Sequence, residues 1–382
     1  MSAAESETIT GAPAYDLWWR LLFLTLLITC LAASDARAER EETRWSGAIS
    51  VPTVPHKSLQ PSKTDLLDLD HEDEESEPSW WDTPLWHRLP AQEELIRRGS
   101  VNQYMNGRDT LLKLARLHGI GYNEIALINP DIDPWIPPAG ASVTVPLRWI
   151  LPIGLTQKSA LRQRSGKRRG YRGRLVINLP EMRLYMTLAD GRIATFPVGI
   201  GREGSQTPVA TTHVRGKREE PTWRVPPSIQ LEDPTLPKVV KAGPDNPLGT
   251  HAIYLGLPGY LIHGTNKPFG IGRRVSHGCI RMYPRHIVEM FDVVRQGDRV
   301  EIVHESVKAG WSGSQLYMSV NPGLPEHEPE SESARKRRME WVVKAAVKRR
   351  PRLTVDLDWK LAESMLERPD GYARVIGRPS HR

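Results

Sequence analysis

The chain has 382 residues, 39% hydrophobic and 25% charged, proportions of an ordinary soluble protein long enough for two or three domains. Its net charge of +7 suits an anionic partner: nucleic acid, a membrane surface or an acidic polymer. It has only two cysteines, Cys30 and Cys279, too few for a disulfide framework.

The first segment reads as an export signal. Trp18-Trp19-Arg20 precedes an apolar run from Leu21 to Ala33, followed by Ala36-Arg37-Ala38, a small-x-small cleavage pattern. The run is 13 residues long, short of the roughly 20 that span a bilayer. Cleavage after Ala38 is expected, an uncleaved anchor being the alternative, and the destination is the periplasm. Residues 1–38 hold two basic and four acidic side chains, so cleavage raises the net charge to +9 and leaves Cys279 as the sole cysteine. Export argues against nucleic acid as a partner.

Residues 39–99 carry proline, serine and charge with little periodicity. The eight acidic residues from Asp65 to Glu77, with no basic one among them, mark a solvated linker. Residues 100–148 differ. Asp109-Thr110-Leu111 opens a helical spacing through Leu114, Ala115 and Leu117. Ile125, Leu127 and Ile128 form a second short helix closed by Asn129-Pro130, and Ser142-Val143-Thr144-Val145-Pro146 is strand-like. This unit resembles a LysM module, a small β-α-α-β fold that binds the glycan of peptidoglycan. It supplies no candidate site residue, so its removal is expected to spare turnover of a small soluble substrate. Residues 157–174 then hold eight basic side chains and no acidic one, a solvated face or a tether to anionic polymer.

The region 172–304 reads as mainly β. Leu175–Leu179 is strand-like, Leu184–Met186 and Ile193–Phe196 flank an Asp190-Gly191 hairpin turn, and Tyr260-Leu261-Ile262 delivers His263. Arg299–Val303 is a further strand. One helix has Pro284 in its first turn and Ile287, Val288, Phe291 and Val294 on one face. After His304, residues 305–382 read as an extension with two short helices. The first has an apolar stripe of Met339, Val342, Val343, Ala346 and Val347 that packs on its own domain, and the second starts near Leu357.

The chemistry lies in His263-Gly264-Thr265-Asn266 and Ser276-His277-Gly278-Cys279-Ile280-Arg281. A lone cysteine with histidines placeable beside it is a candidate nucleophile. His263 is the candidate base. His277, two residues before the sulfur, points the same way in an extended segment and either approaches the thiol or holds the loop. Gly278 allows a tight turn, so that sulfur and backbone N–H groups face one substrate atom. Arg281 suits a substrate carboxylate or a structural ion pair. Tyr254 and Trp223 line a groove or join the core. His263, His277 and Cys279 as zinc ligands lack a fourth ligand, and Ser276 as a nucleophile lacks the Gly-x-Ser-x-Gly elbow.

The two blocks resemble the signature of the YkuD-type L,D-transpeptidases. Gly243-Pro244-Asp245-Asn246-Pro247-Leu248-Gly249, Tyr254-Leu255-Gly256, Tyr260 to Asn266 and Arg274 to Arg281 resemble its ErfK-like branch. The spacer after His263 is shorter than in many members, and Arg281 stands where others carry Asn. The resemblance implies a β-sandwich-like catalytic domain that needs no cofactor or metal. Cys279 is implied as nucleophile, His263 as proton donor and acceptor oriented by a backbone carbonyl, and His277 as support. Backbone N–H groups around Gly278 would meet the oxyanion, with Arg281, Tyr254 and Ser276 at the substrate. The implied substrate is the peptidoglycan stem tetrapeptide, transferred with loss of D-alanine to an outer-membrane lipoprotein lysine or to diaminopimelate of another stem. Alternatives are an L,D-carboxypeptidase or D-amino-acid exchange enzyme, and a non-catalytic murein-binding protein.

Overall fold

The computed structural model describes residues 101–155, 173–188, 191–328 and 331–380, with short stretches between 86 and 97. The expected signal peptide, most of the linker, most of the basic stretch and Asp190 lie outside the described residues.

Nine strands form one sheet. In spatial order they are Trp86–His87, Ile193–Pro197, Arg183–Thr187, Arg174–Asn178, Arg299–Val303, Ala210–Glu219, His251–Leu255, Leu261–His263 and Ile280–Arg281. Two pairings are parallel, Arg174–Asn178 with Arg299–Val303 and Leu261–His263 with Ile280–Arg281. The expected β-sandwich-like domain takes the form of a single sheet that curls back on itself. Beyond Pro197, Gly199 and Arg281 exchange two backbone hydrogen bonds of 2.9 Å, and Ile200–Gly201 runs parallel to Arg274–Ser276. Only glycine fits at 199, because a Cβ there would lie 2.7 Å from the Gly270 carbonyl oxygen.

Side chains alternate across the sheet, and both faces are used. Leu175, Ile177, Leu184, Met186, Ile253, Ile262 and Ile280 point into the curl and make the main core. The helix Pro284–Val293 plugs it, Pro284 taking the first turn where its missing N–H costs nothing. The buried stripe is Ile287, Met290, Phe291 and Val294, at i, i+3, i+4 and i+7, and each side chain so buried contributes about 2 kcal/mol. Val288, expected on that face, is exposed, and Met290 takes its place.

The opposite face carries Val176, Tyr185 and Ile193, which join a second core with Leu111, Leu114, Ala115, Ile125, Val143, Val145 and Trp149. All of the latter but Trp149, which lies on the following strand Arg148–Ile150, belong to a β-α-α-β unit: strands Val101–Tyr104 and Ser142–Val145 pair antiparallel, with helices Leu111–Leu117 and Tyr122–Ile128 between them. Thr110 caps the first helix by accepting from Lys113 N–H at 3.0 Å. The unit does not stand apart from the sheet, because the two share a hydrophobic core.

Residues 305–380 were expected to be helical, but they carry a sheet as well. Val307–Ser312, Gln315–Val320, Arg374–Pro379 and Val355–Leu357 form it in that order, covered by helices Glu332–Lys348 and Trp359–Glu367. Met339, Val342, Val343 and Ala346 pack on the sheet with Trp311, Leu316 and Met318.

Among the described residues, three ion pairs with little or no solvent exposure join these parts. Arg183 of the curled sheet meets Glu124 of the helical unit at 2.7 Å and lies 4.0 Å over the Trp149 ring. Lys308 of the C-terminal sheet meets both Glu181 oxygens at 2.7 Å and donates to the Ile150 carbonyl. Arg349 meets Glu94 at 2.7 Å. Such charges tolerate burial only when paired and fully hydrogen-bonded, which fixes the geometry of each joint.

Candidate active site

The site lies in the seam where the sheet closes. Parallel pairing sets Ile262 beside Ile280 and His263 beside Arg281. Residues two apart share a face, so Cys279 and Arg281 stand on the same side as Leu261 and His263. The antiparallel neighbour adds Tyr254 to that side, opposite Leu261. Trp223 lies on a separate ribbon, Trp223–Arg224 paired with Val239–Val240.

His263 is buried at the end of its strand. Its Nδ1 lies 2.6 Å from the Gly264 carbonyl oxygen, so Nδ1 carries the proton and Nε2 keeps its lone pair. Burial first, and then the positive charge of Arg281, push its pKa down to about 4, against the pull of the Gly264 and Leu248 carbonyls. The ring is neutral at pH 7 and able to accept a proton.

Cys279 is a free thiol, half-buried, with Sγ 3.5 Å from the Gly259 carbonyl oxygen. Burial pushes its pKa up, partly offset by a backbone hydrogen bond from Leu261 and by Arg281. The resting thiol is therefore protonated, on the same sheet face as a neutral histidine. Arg281 is half-buried, and its Nε has no hydrogen-bond partner among the described residues.

The turn before the sulfur is held by side chains. Ser276 Oγ donates to the Cys279 carbonyl at 2.5 Å and accepts from Gly278 N–H at 3.2 Å. Ser276 is thus engaged with backbone. Gly278 has φ +100°, and a Cβ there would lie 2.9 Å from Tyr260 Cε1, so the position demands glycine. His277 turns away to a surface cluster: its Nε2 lies 2.9 Å from Glu232 Oε2 and 3.0 Å from Arg202 Nη2. The hydrogen bond from His277, and then that from Arg202, which also reaches Glu232 Oε2, hold the Glu232 carboxyl below its ordinary range.

Sequence reasoning missed Thr207, Arg202 and Glu232, which reach the turn from segments 45 to 75 residues away. No local spacing signals them. It also missed that the helical unit grips the loop joining the two halves of the site. Tyr122 N–H donates to the Ile271 carbonyl at 3.1 Å and Asn123 N–H to that of Gly272 at 3.2 Å. Tyr283 Oη donates to the Ile120 carbonyl at 3.0 Å.

A protonated thiol on a glycine turn, a neutral carbonyl-oriented histidine and a guanidinium on one face of a curled sheet define an enzyme equipped for thiol chemistry. Residues 172–302 match the YkuD family, described as the L,D-transpeptidase catalytic domain. The chain is 36% identical to the probable L,D-transpeptidase YcfS of Escherichia coli K12 over 232 residues, 58% of this chain and 68% of that one. With the probable L,D-transpeptidase ErfK/SrfK of Salmonella typhimurium it shares 38% over 240 residues, 60% of this chain and 72% of the other. The chain belongs to the YkuD-type L,D-transpeptidase family, within its ErfK-like branch. A solved L,D-transpeptidase from Mycobacterium smegmatis overlaps 35% of this chain and 59% of its own at 22% identity, with a TM-score of 0.29, too low to add support.

Proposed function

We propose that this chain transfers the acyl group of a peptidoglycan stem tetrapeptide to an amine through a thioester on Cys279. The observation that carries the reading is the seam register, which puts Cys279, His263 and Arg281 on one face. His263 Nε2 takes the thiol proton as Sγ attacks the carbonyl carbon at the L-centre of diaminopimelate. With the thiol protonated at rest, deprotonation accompanies attack rather than preceding it. The carbonyl oxygen gathers negative charge and is met by backbone N–H of the glycine turn. The C–N bond then breaks, D-alanine leaves with the proton from His263, and a thioester remains. An acceptor amine attacks it, returns a proton through His263 and restores the thiol. Arg281, with its Nε unpartnered, is placed to hold a stem carboxylate.

His277 supports the turn through Glu232 and Arg202, and Tyr254 borders the site from the same sheet face. The acceptor is a lipoprotein lysine, with diaminopimelate of a neighbouring stem as the close competitor. A tethered acceptor meets the thioester at high effective concentration. The β-α-α-β unit is LysM-like and contacts glycan while also bracing the catalytic seam. The signal at 1–38 directs the chain to the periplasm, where its basic charge favours an anionic wall.

The test is acylation by imipenem, read by mass. An adduct on the intact chain, absent from Cys279→Ala, is expected, and an adduct persisting on the Ala variant would overturn the assignment. Incubation with sacculi and lipoprotein, followed by muramidase digestion, identifies the acceptor. Dimers joined 3→3 without modified lipoprotein would reverse the preference.

A further inference from the structure

The turn offers backbone amides at His277, Gly278 and Cys279 to a developing oxyanion. The Gly278 N–H is already taken by Ser276 Oγ at 3.2 Å. The Cys279 N–H makes no hydrogen bond within the described residues. Its direction is set by the Gly278–Cys279 peptide plane, in which the carbonyl and the N–H of a trans unit point opposite ways. Whatever holds the Gly278 carbonyl therefore aims the Cys279 N–H.

That group is Thr207. Its Oγ1 donates to the Gly278 carbonyl oxygen at 2.7 Å and accepts from Gly201 N–H at 2.9 Å. The side chain is buried, so water does not compete for either bond. Its support is stiff: Ser205 N–H closes a turn onto the Arg202 carbonyl at 3.0 Å. A Cβ on Gly201 would lie 2.2 Å from the Ser205 oxygen, leaving the loop no room to shift inward.

We propose that Thr207 is a positioning residue for acyl transfer, its hydroxyl fixing the Gly278 carbonyl so that the Cys279 N–H faces the oxyanion. The inference rests on the thioester reading above. It implies a selective effect, because Thr207 touches neither sulfur nor substrate. Reactions of Cys279 that build charge on a carbonyl oxygen depend on it. Alkylation by iodoacetamide does not: an S–C bond forms at a saturated carbon, iodide leaves, the thiol proton goes to a base, and no oxyanion arises.

The experiment compares imipenem acylation and iodoacetamide alkylation in the unmodified chain, Thr207→Val and Thr207→Ser, with melting temperatures alongside. Complete loss of one oxyanion donor typically costs about 10²–10³ in rate. Mis-aiming it in Thr207→Val is expected to slow acylation about 10- to 100-fold and alkylation less than about twofold. Thr207→Ser, which keeps the hydroxyl, is expected to return acylation to within about threefold of the parent. Acylation unchanged in Thr207→Val, or both reactions slowed in parallel, overturns the proposal. If the valine variant does not fold, the same ratio read in the cold on Thr207→Ala decides. Failure of the unmodified chain to form a Cys279 adduct would instead sink the thioester reading, a distinct result.

Discussion

Arg183→Met isolates the joint between the helical unit and the curled sheet. Arg183 donates from Nε and Nη2 to the two Glu124 oxygens at 3.0 and 2.7 Å and from Nη1 to Thr195 Oγ1 at 3.2 Å. Methionine fills a similar slot, so the loss is one of charge and hydrogen bonds rather than volume. Removing one member of a buried ion pair costs about 3–5 kcal/mol, because the other is left stranded. Glu124 keeps donors from Gly121 N–H and Trp149 Nε1, both at 2.6 Å. That places the expected loss at the low end, about 3 kcal/mol. For a chain of this size it lowers Tm by about 4–5 °C. Adding Glu124→Gln, which removes the stranded charge, is expected to recover part of the loss. Thermal unfolding followed by near-ultraviolet circular dichroism reads both. A Tm within about 1 °C of the parent would refute the claim that this pair joins the two parts.

Deleting residues 101–145 is expected to abolish turnover of a small soluble tetrapeptide, not only binding to sacculi, because it removes half of a shared core and the grip on Ile271 and Gly272. Retained soluble activity would show the unit to be separable after all. His263→Ala is expected to abolish acylation, whereas His277→Ala, which loses its contacts to Glu232 and Arg202 at the surface, loses about tenfold or less. Equal losses would mean that His277 shares the proton work. Stability is expected to fall with pH below 6.5, because the unfolded chain protonates His263 there while the folded chain resists until about 4. The contribution is fully present above pH 6.5 and has dropped by about 3 kcal/mol near pH 4. His304, pushed down to about 4 mainly by burial, acts in the same direction, so denaturant midpoints of His263→Asn against the parent isolate the His263 share. An identical pH slope in the two would refute it.

Much of the site was legible because its key residues are close in sequence. His263 and Cys279 flank two short strands that pair with each other, so local motif and spatial register coincide. The Arg183–Thr187 and Ile193–Pro197 hairpin was legible for the same reason. The C-terminal sheet was not. Val307–Ser312 is buried at all six positions, so the period-two signal of a half-exposed strand is missing, and Lys308 within it looks like a surface residue. Its ammonium is buried only because Glu181 waits 127 residues upstream. The curl was not legible because strand patterns report faces but not closure, and closure here depends on Gly199 meeting Arg281. Thr207 was invisible because a threonine beside a proline carries no sign of the carbonyl it will hold.

The three buried joints have an order in time. In each, the carboxylate precedes its cation along the chain: Glu124 by 59 residues, Glu181 by 127 and Glu94 by 255. A nascent chain therefore exposes acids whose burial stays costly until the matching base has emerged, which discourages early collapse of the partly made protein. Cys279 is synthesised before Lys308 and Arg349, so the thiol exists before those two joints can form. A chain cut after the motif would therefore carry its thiol without the ion pairs of Lys308 and Arg349.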